Sequence, residues 1–268
     1  MNKASLKCII SIAILLLFTL TISCNSNEGE IQDKDLEKEL EFLAKAYPDS
    51  IPLQLLYWEQ KFTTGQKNNA IDSLMHLSER YPDNTVLLNG IAELALQNSD
   101  TGLALHFLGQ SLSVLPVQSE TEFRMAGILE IKRDTLWEKI TKNLIEREND
   151  PIAVSRGYYL MGVHLANENK TKEAIEAFGN SIALNYTFTD AYIEKAILLL
   201  EKNQTDEASA LLYKALELDR KSADIHFLIG ECWMKRKNSE KALAFYEETL
   251  RLDPDYESAQ TRIDKIKP

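Results

Sequence analysis

Few residues of this chain combine the type and the spacing that covalent or metal chemistry requires. Cysteine occurs at 8, 24 and 232, and histidine at 76, 106, 164 and 226. No Gly-x-x-x-x-Gly-Lys-Ser/Thr loop, Gly-x-Ser-x-Gly elbow or His-Glu-x-x-His pair is present to hold phosphate, present a serine or bind zinc. Cys232 follows Glu231 and precedes Trp233 with no base near it in sequence, so a buried, inert thiol is expected. His226 reads as a packed residue. Glu146, Glu148 and Asp150 read as solvated helix ends rather than a calcium site. The Asn-x-Thr triplets at Asn169, Asn185 and Asn203 read as chance matches. The sequence therefore predicts no catalytic residue, no metal and no cofactor, and a chain that is not an enzyme.

The elements around these residues follow from composition. Of 268 residues, 30 are Lys or Arg and 41 Asp or Glu, a net charge of −11, with 44% hydrophobic and 26% charged. That balance predicts a folded, soluble body. Its negative surface repels phosphate backbones and disfavours nucleic acid as a partner. Ten glycines and seven prolines are too few for an all-β chain, which turns often. Three cysteines cannot frame a disulfide-built domain.

The N-terminus reads as an address. Lys3 and Lys7 precede a small and apolar run over residues 8–23, shorter than the roughly 20 residues of a spanning helix. The run closes Leu20-Thr21-Ile22-Ser23-Cys24, which resembles a bacterial lipoprotein signal, with Thr21 where that family favours leucine. The resemblance implies removal of residues 1–23 and acylation of Cys24, hence a membrane held through an N-terminal lipid. Asn25 at the next position implies the outer membrane, with the side it faces left open. Residues 24–32 are polar and predict a tether.

Proline supplies a ruler for the remainder, because it is excluded from helix interiors. Pro48, Pro82 and Pro116 are spaced by 34, Pro151 follows after 35, and Pro254 lies 103 further on. Ala174, Ala208 and Ala242 repeat the 34-residue spacing, as do Ala70 and Ala104. In the last period His226, Ile229, Gly230, Trp233, Ala242, Tyr246, Thr249 and Pro254 occupy eight characteristic places. Tyr158, Met161, Gly162, Leu165, Ala174, Phe178 and Ser181 do so in an earlier one, although Tyr186 and Arg220 replace the closing proline in two periods. This pattern resembles the tetratricopeptide repeat family. Small residues let paired helices approach, and large apolar residues fill the space between pairs. Gly65, Asn169 and Asn203 stand at a shared turn, where both types tolerate the left-handed backbone.

The resemblance implies an all-α superhelix, a solenoid of about six helix-turn-helix repeats with an N-terminal half repeat and a C-terminal capping helix. The half repeat spans 33–50, with Leu36, Leu40 and Leu43 inward. Repeats follow at 51–84, 85–118, 155–188, 189–222 and 223–256, and a capping helix at 257–268. Residues 119–154 read as a degenerate repeat, with Lys139 where alanine is expected. The family's groove places fall on Leu55, Glu59, Phe62, Asn89, Glu93, Arg156, Tyr159, Ile193, Ile197, Phe227, Glu231 and Met234. Their mixture of aromatic, aliphatic and acidic types suits an apolar or basic peptide segment.

The expected function is a lipid-anchored interaction scaffold of the bacterial envelope, holding an unidentified protein partner. The resemblance reaches the repeat lipoproteins of type IV pilus biogenesis, barrel assembly and protease adaptation without choosing among them. A receptor for a small ligand or glycan, stacking on groove aromatics, is the alternative. Trp58, Trp137 and Trp233, spread along the chain, argue against it.

Overall fold

A computed structural model describes residues 29–147 and 149–267. The signal segment and Cys24 lie outside the described residues. The described residues form fourteen α-helices and no strand. A lone first helix, α1 (Gly29–Ala46), is followed by α2 (Ile51–Thr63) with α3 (Lys67–Arg80) and α4 (Thr85–Gln97) with α5 (Thr101–Val114). Then come α6 (Ser119–Ile131) with α7 (Leu136–Ile145), α8 (Pro151–Asn167) with α9 (Thr171–Leu184) and α10 (Thr189–Glu201) with α11 (Thr205–Leu218). The last pair is α12 (Ala223–Lys235) with α13 (Ser239–Leu252), and α14 (Glu257–Ile266) closes the series. The chain divides into two compact units, the first reaching Ala104 and the second beginning at Leu105.

Two boundaries differ from the sequence reading. Helix α1 takes in residues 29–32, which read as tether, because glutamate and glutamine are adequate helix formers and polarity alone does not end a helix. Helix α8 begins at Pro151 rather than 155. Asp150 caps it, accepting from the Ala153 N–H at 3.0 Å, and Pro151 occupies a first-turn position where its missing N–H costs nothing.

The turn inside each pair is built alike. Gly65, Ser99, Arg133, Asn169, Asn203 and Lys237 all have positive φ, between 56° and 99°. Each follows the end of a first helix, and the next N–H reaches back to close it: Asp134 donates to Leu129 O at 2.9 Å and Gln204 to Leu199 O at 2.8 Å. Five residues beyond five of these turns stands an alanine, at 70, 104, 174, 208 and 242, each 0% exposed. Five residues beyond Arg133 stands Glu138, which is exposed. The degenerate repeat therefore lacks its alanine at Glu138 rather than at Lys139.

Second helices α3, α7, α9 and α11 each pack on their own first helix and on the first helix of the following pair. Side-chain volumes are matched across the pair. Gly162 lets Phe178 approach so closely that a Cβ would stand 2.7 Å from the ring, and Gly230 admits Tyr246 to 2.5 Å. Both aromatics are 0% exposed. Where the small residue is Ala196, the residue sixteen positions on is Leu212, and both belong to one buried cluster. Cys232 lies in that cluster too, 0% exposed, and burial pushes its thiol up to about 11. His226 is 8% exposed, its Nδ1 2.8 Å from Ser222 O.

Candidate partner-binding face

First helices of successive pairs touch one another, α2 with α4, α6 with α8 and α10 with α12, and so share a face within each unit. In the first unit that face carries a pocket of about 240 Å³ lined by Leu55, Glu59, Val86, Gly90, Glu93 and Leu94. Gly90 creates it. Its missing Cβ would stand 2.5 Å from Leu55 Cδ2, so a side chain there would push the end of that leucine aside. Val86 is 62% exposed beside it. Two carboxylates flank this apolar floor: Glu59, exposed, and Glu93, half-buried and accepting from Gln97 Nε2 at 3.2 Å. Asn89 is half-buried on the same helix. Phe62 departs from the sequence reading, because at 3% exposure it belongs to the core and offers a partner no surface.

In the second unit several groove places are engaged within the chain. Arg156 donates to Ser119 Oγ at 3.0 Å, pairs with Glu120 and lies over the Phe123 ring at 5.8 Å. Tyr159 sits among Phe123, Phe178 and Phe188, with ring centroids 4.9 to 5.8 Å away. Burial, reinforced by the charges of Glu194 and Asp190, pushes its hydroxyl far above the ordinary phenol range, so it stays protonated. Ile193 packs half-buried against the core, and Ile197 is half-buried.

The terminal helix takes the last three places. Glu231 accepts from Arg262 Nε at 2.8 Å and Nη2 at 2.7 Å, and from the Tyr246 hydroxyl at 2.5 Å. Phe227 packs on Tyr256 with centroids 5.1 Å apart, and Met234 joins Ile263 and Ile266 in one cluster. Phe227, Glu231 and Met234 thus hold α14.

Two carboxylates missed by the sequence reading stand on this face. Asp190 and Glu194, one turn apart on α10, are both held above the ordinary carboxylate range. Burial is the main cause for each, and the charge of Asp224 acts on Asp190 as that of Asp190 does on Glu194. Counting would have found Asp190, which stands at the second place of its period.

For an acid whose folded-state value is raised, the native state binds protons more tightly than the unfolded chain. Stability then falls as pH rises through that value. The double variant Asp190→Asn, Glu194→Gln is expected to melt at a higher temperature than the parent at neutral pH. The difference should shrink as pH falls into the ordinary carboxylate range; equal midpoints at neutral pH would contradict this.

The tetratricopeptide repeat profile matches residues 200–263. Those residues carry tetratricopeptide repeats, and the fold is that of a tetratricopeptide repeat solenoid. A Parabacteroides merdae tetratricopeptide repeat protein superposes with a TM-score of 0.66 at 15% identity, over 89% of this chain and 95% of that one. PilW, a type IV pilus biogenesis factor, superposes with a TM-score of 0.58 at 18% identity, over 80% and 98%. In sequence, the human protein O-mannosyl-transferase TMTC3 is 33% identical over 95 residues, which are 35% of this chain and 10% of that protein. The chain therefore spans about a tenth of that enzyme, at its repeat segment alone. An uncharacterised Methanocaldococcus jannaschii protein is 30% identical over 63 residues, 24% of this chain and 73% of the relative. Tetratricopeptide repeats are interaction modules that bind protein partners or peptides, and the fold is typically a non-catalytic scaffold.

Proposed function

We propose that this tetratricopeptide protein is a lipid-anchored scaffold of the bacterial cell envelope. It holds a segment of a partner protein on a face that first helices share within a unit. The observation that carries the reading is the pocket under Leu55, an apolar floor between Glu59 and Glu93. Such a pocket suits a partner segment in which an apolar residue neighbours a lysine or arginine. The unpaired charges of Asp190 and Glu194 favour the same partner chemistry in the second unit.

Attachment to the membrane rests on the sequence: Lys3, Lys7, the apolar run over 8–23 and the Ser23-Cys24 pair. One acyl chain binds membranes only marginally, and stable anchoring takes two or more, as a lipidated N-terminal cysteine provides. Cys24→Ala is expected to move the protein from the membrane fraction to the soluble fraction. A variant that stays with membranes without acylation would refute the anchor. Capture from solubilised envelope tests the rest of the reading. A protein partner should be recovered, whereas no protein partner together with tight oligosaccharide binding would replace the scaffold by a glycan receptor.

A further inference from the structure

An open cleft of about 720 Å³ lies where the C-terminal ends of α6 and α8 meet the start of α7. It opens at the one second helix whose alanine place holds a glutamate: Glu138 stands exposed on its rim, and Trp137 turns inward, 8% exposed. Its floor is Glu130, whose side chain is 8% exposed.

Among the described residues of the second unit two glutamates are buried, and they are treated differently. Glu122 is held by both terminal nitrogens of Arg147 at 2.5 Å. Glu130 has no lysine or arginine partner among the described residues; it faces His164 Nδ1 at 3.3 Å and accepts from Asn167 Nδ2 at 3.2 and 3.4 Å. The imidazole is shared, its Nε2 lying 3.4 Å from Glu168, and it packs on Trp137 with centroids 4.4 Å apart. Glu168 in turn is held by Lys170 at 2.6 Å. A buried carboxylate served by one amide and a shared imidazole is poorly compensated, and it opens onto space. Arg133, at the mouth, is exposed, so solvent screens its repulsion of an incoming cation, whereas Glu130 acts from a drier floor.

We propose that this cleft binds a cation carried on an apolar stem, a guanidinium or ammonium group. Glu130 supplies the countercharge, and the Trp137–His164 wall covers the stem. The site is separate from the first-helix pocket and does not rest on the scaffold reading. The same head group reaches a cell either as a free amine or as an arginine or lysine side chain of a polypeptide.

Calorimetric titration of the full chain tests this with three probes: butylguanidinium, N-acetyl-arginine methylamide and the neutral isostere butylurea. Saturable binding of either cation is expected, with Glu130→Gln weaker by about tenfold or more and butylurea silent. Binding of butylguanidinium alone assigns the free amine, and tighter binding of the arginine derivative assigns a polypeptide side chain. Binding of neither cation, equal binding of butylurea, or an unchanged affinity in Glu130→Gln overturns the proposal. Should Glu130→Gln lose its helicity, Glu138→Ala decides. Removing this rim carboxylate, at an exposed helical position that alanine suits, is expected to keep the helicity and to weaken cation binding by about fivefold. Unchanged binding in that variant overturns the proposal as well.

Discussion

Replacing Phe178 by alanine is expected to destabilise the second unit by about 3–5 kcal/mol, the usual cost of removing a buried aromatic ring. Phe178 is 0% exposed and lies against Gly162, whose missing Cβ is the space the ring fills. The glycine and the ring are therefore one packing decision, and the chain contains a second solution to it in Ala196 and Leu212. Gly162→Ala alone should cost about 1–3 kcal/mol, because the new methyl meets a ring that cannot retreat. Phe178→Leu alone should leave a void costing about 1 kcal/mol or more. Together they should recover much of both losses by recreating the alanine–leucine pairing. Urea unfolding of the four proteins, followed by circular dichroism, measures this coupling. Strictly additive losses would show that the two side chains do not share the space.

The second large effect is expected at Glu122 and Arg147. The glutamate side chain is 10% exposed and the arginine side chain 22%, and they pair through two parallel hydrogen bonds. Arg147 lies beyond the end of α7 and Glu122 in the first turn of α6, so the pair ties the shortened second helix of the degenerate repeat to its first. Glu122 holds the Arg147 guanidinium above its usual value through that hydrogen bond, against the opposing effect of burial. Glu122→Ala strands the arginine. A fully buried pair broken in this way costs about 3–5 kcal/mol, and the partial exposure of Arg147 reduces the expected loss to about 2–3 kcal/mol. Glu122→Leu with Arg147→Met removes both charges together and should cost less than either single change. A double variant as unstable as Glu122→Ala would mean that the loss lies in packing rather than in the stranded charge.

The repeat was legible because its markers are residue types with one physical use. Prolines at 48, 82, 116 and 151 mark boundaries that no helix interior tolerates, and Gly65, Asn169 and Asn203 mark left-handed turns. The same turn at Ser99, Arg133 and Lys237 was hidden, since those types have no preference for positive φ and adopt it because the returning hydrogen bonds require it. Locating Arg133 at that turn shifts the missing alanine to Glu138 and makes the cleft above Glu130 intelligible.

The binding face was less legible, because a groove place says which way a side chain points but not what covers it. Leu55, Glu59 and Glu93 line a pocket. Phe62 turns into the core, and Glu231, at a similar place, is taken by Arg262 of the terminal helix. Asp190 was within reach of the counting, whereas the convergence of Glu130, Trp137 and His164 from three helices left no periodic trace.

The central claim is that the first-helix face, with its paired carboxylates, holds the partner. Glu59→Lys with Glu93→Lys tests it without disturbing α14, which a change at Glu231 would. The measurement is quantitative capture of envelope proteins by parent and double variant, with circular dichroism on both. The account predicts equal helicity and the loss of a partner that the parent retains, by about tenfold or more at matched salt. An identical captured set in the two proteins would contradict it.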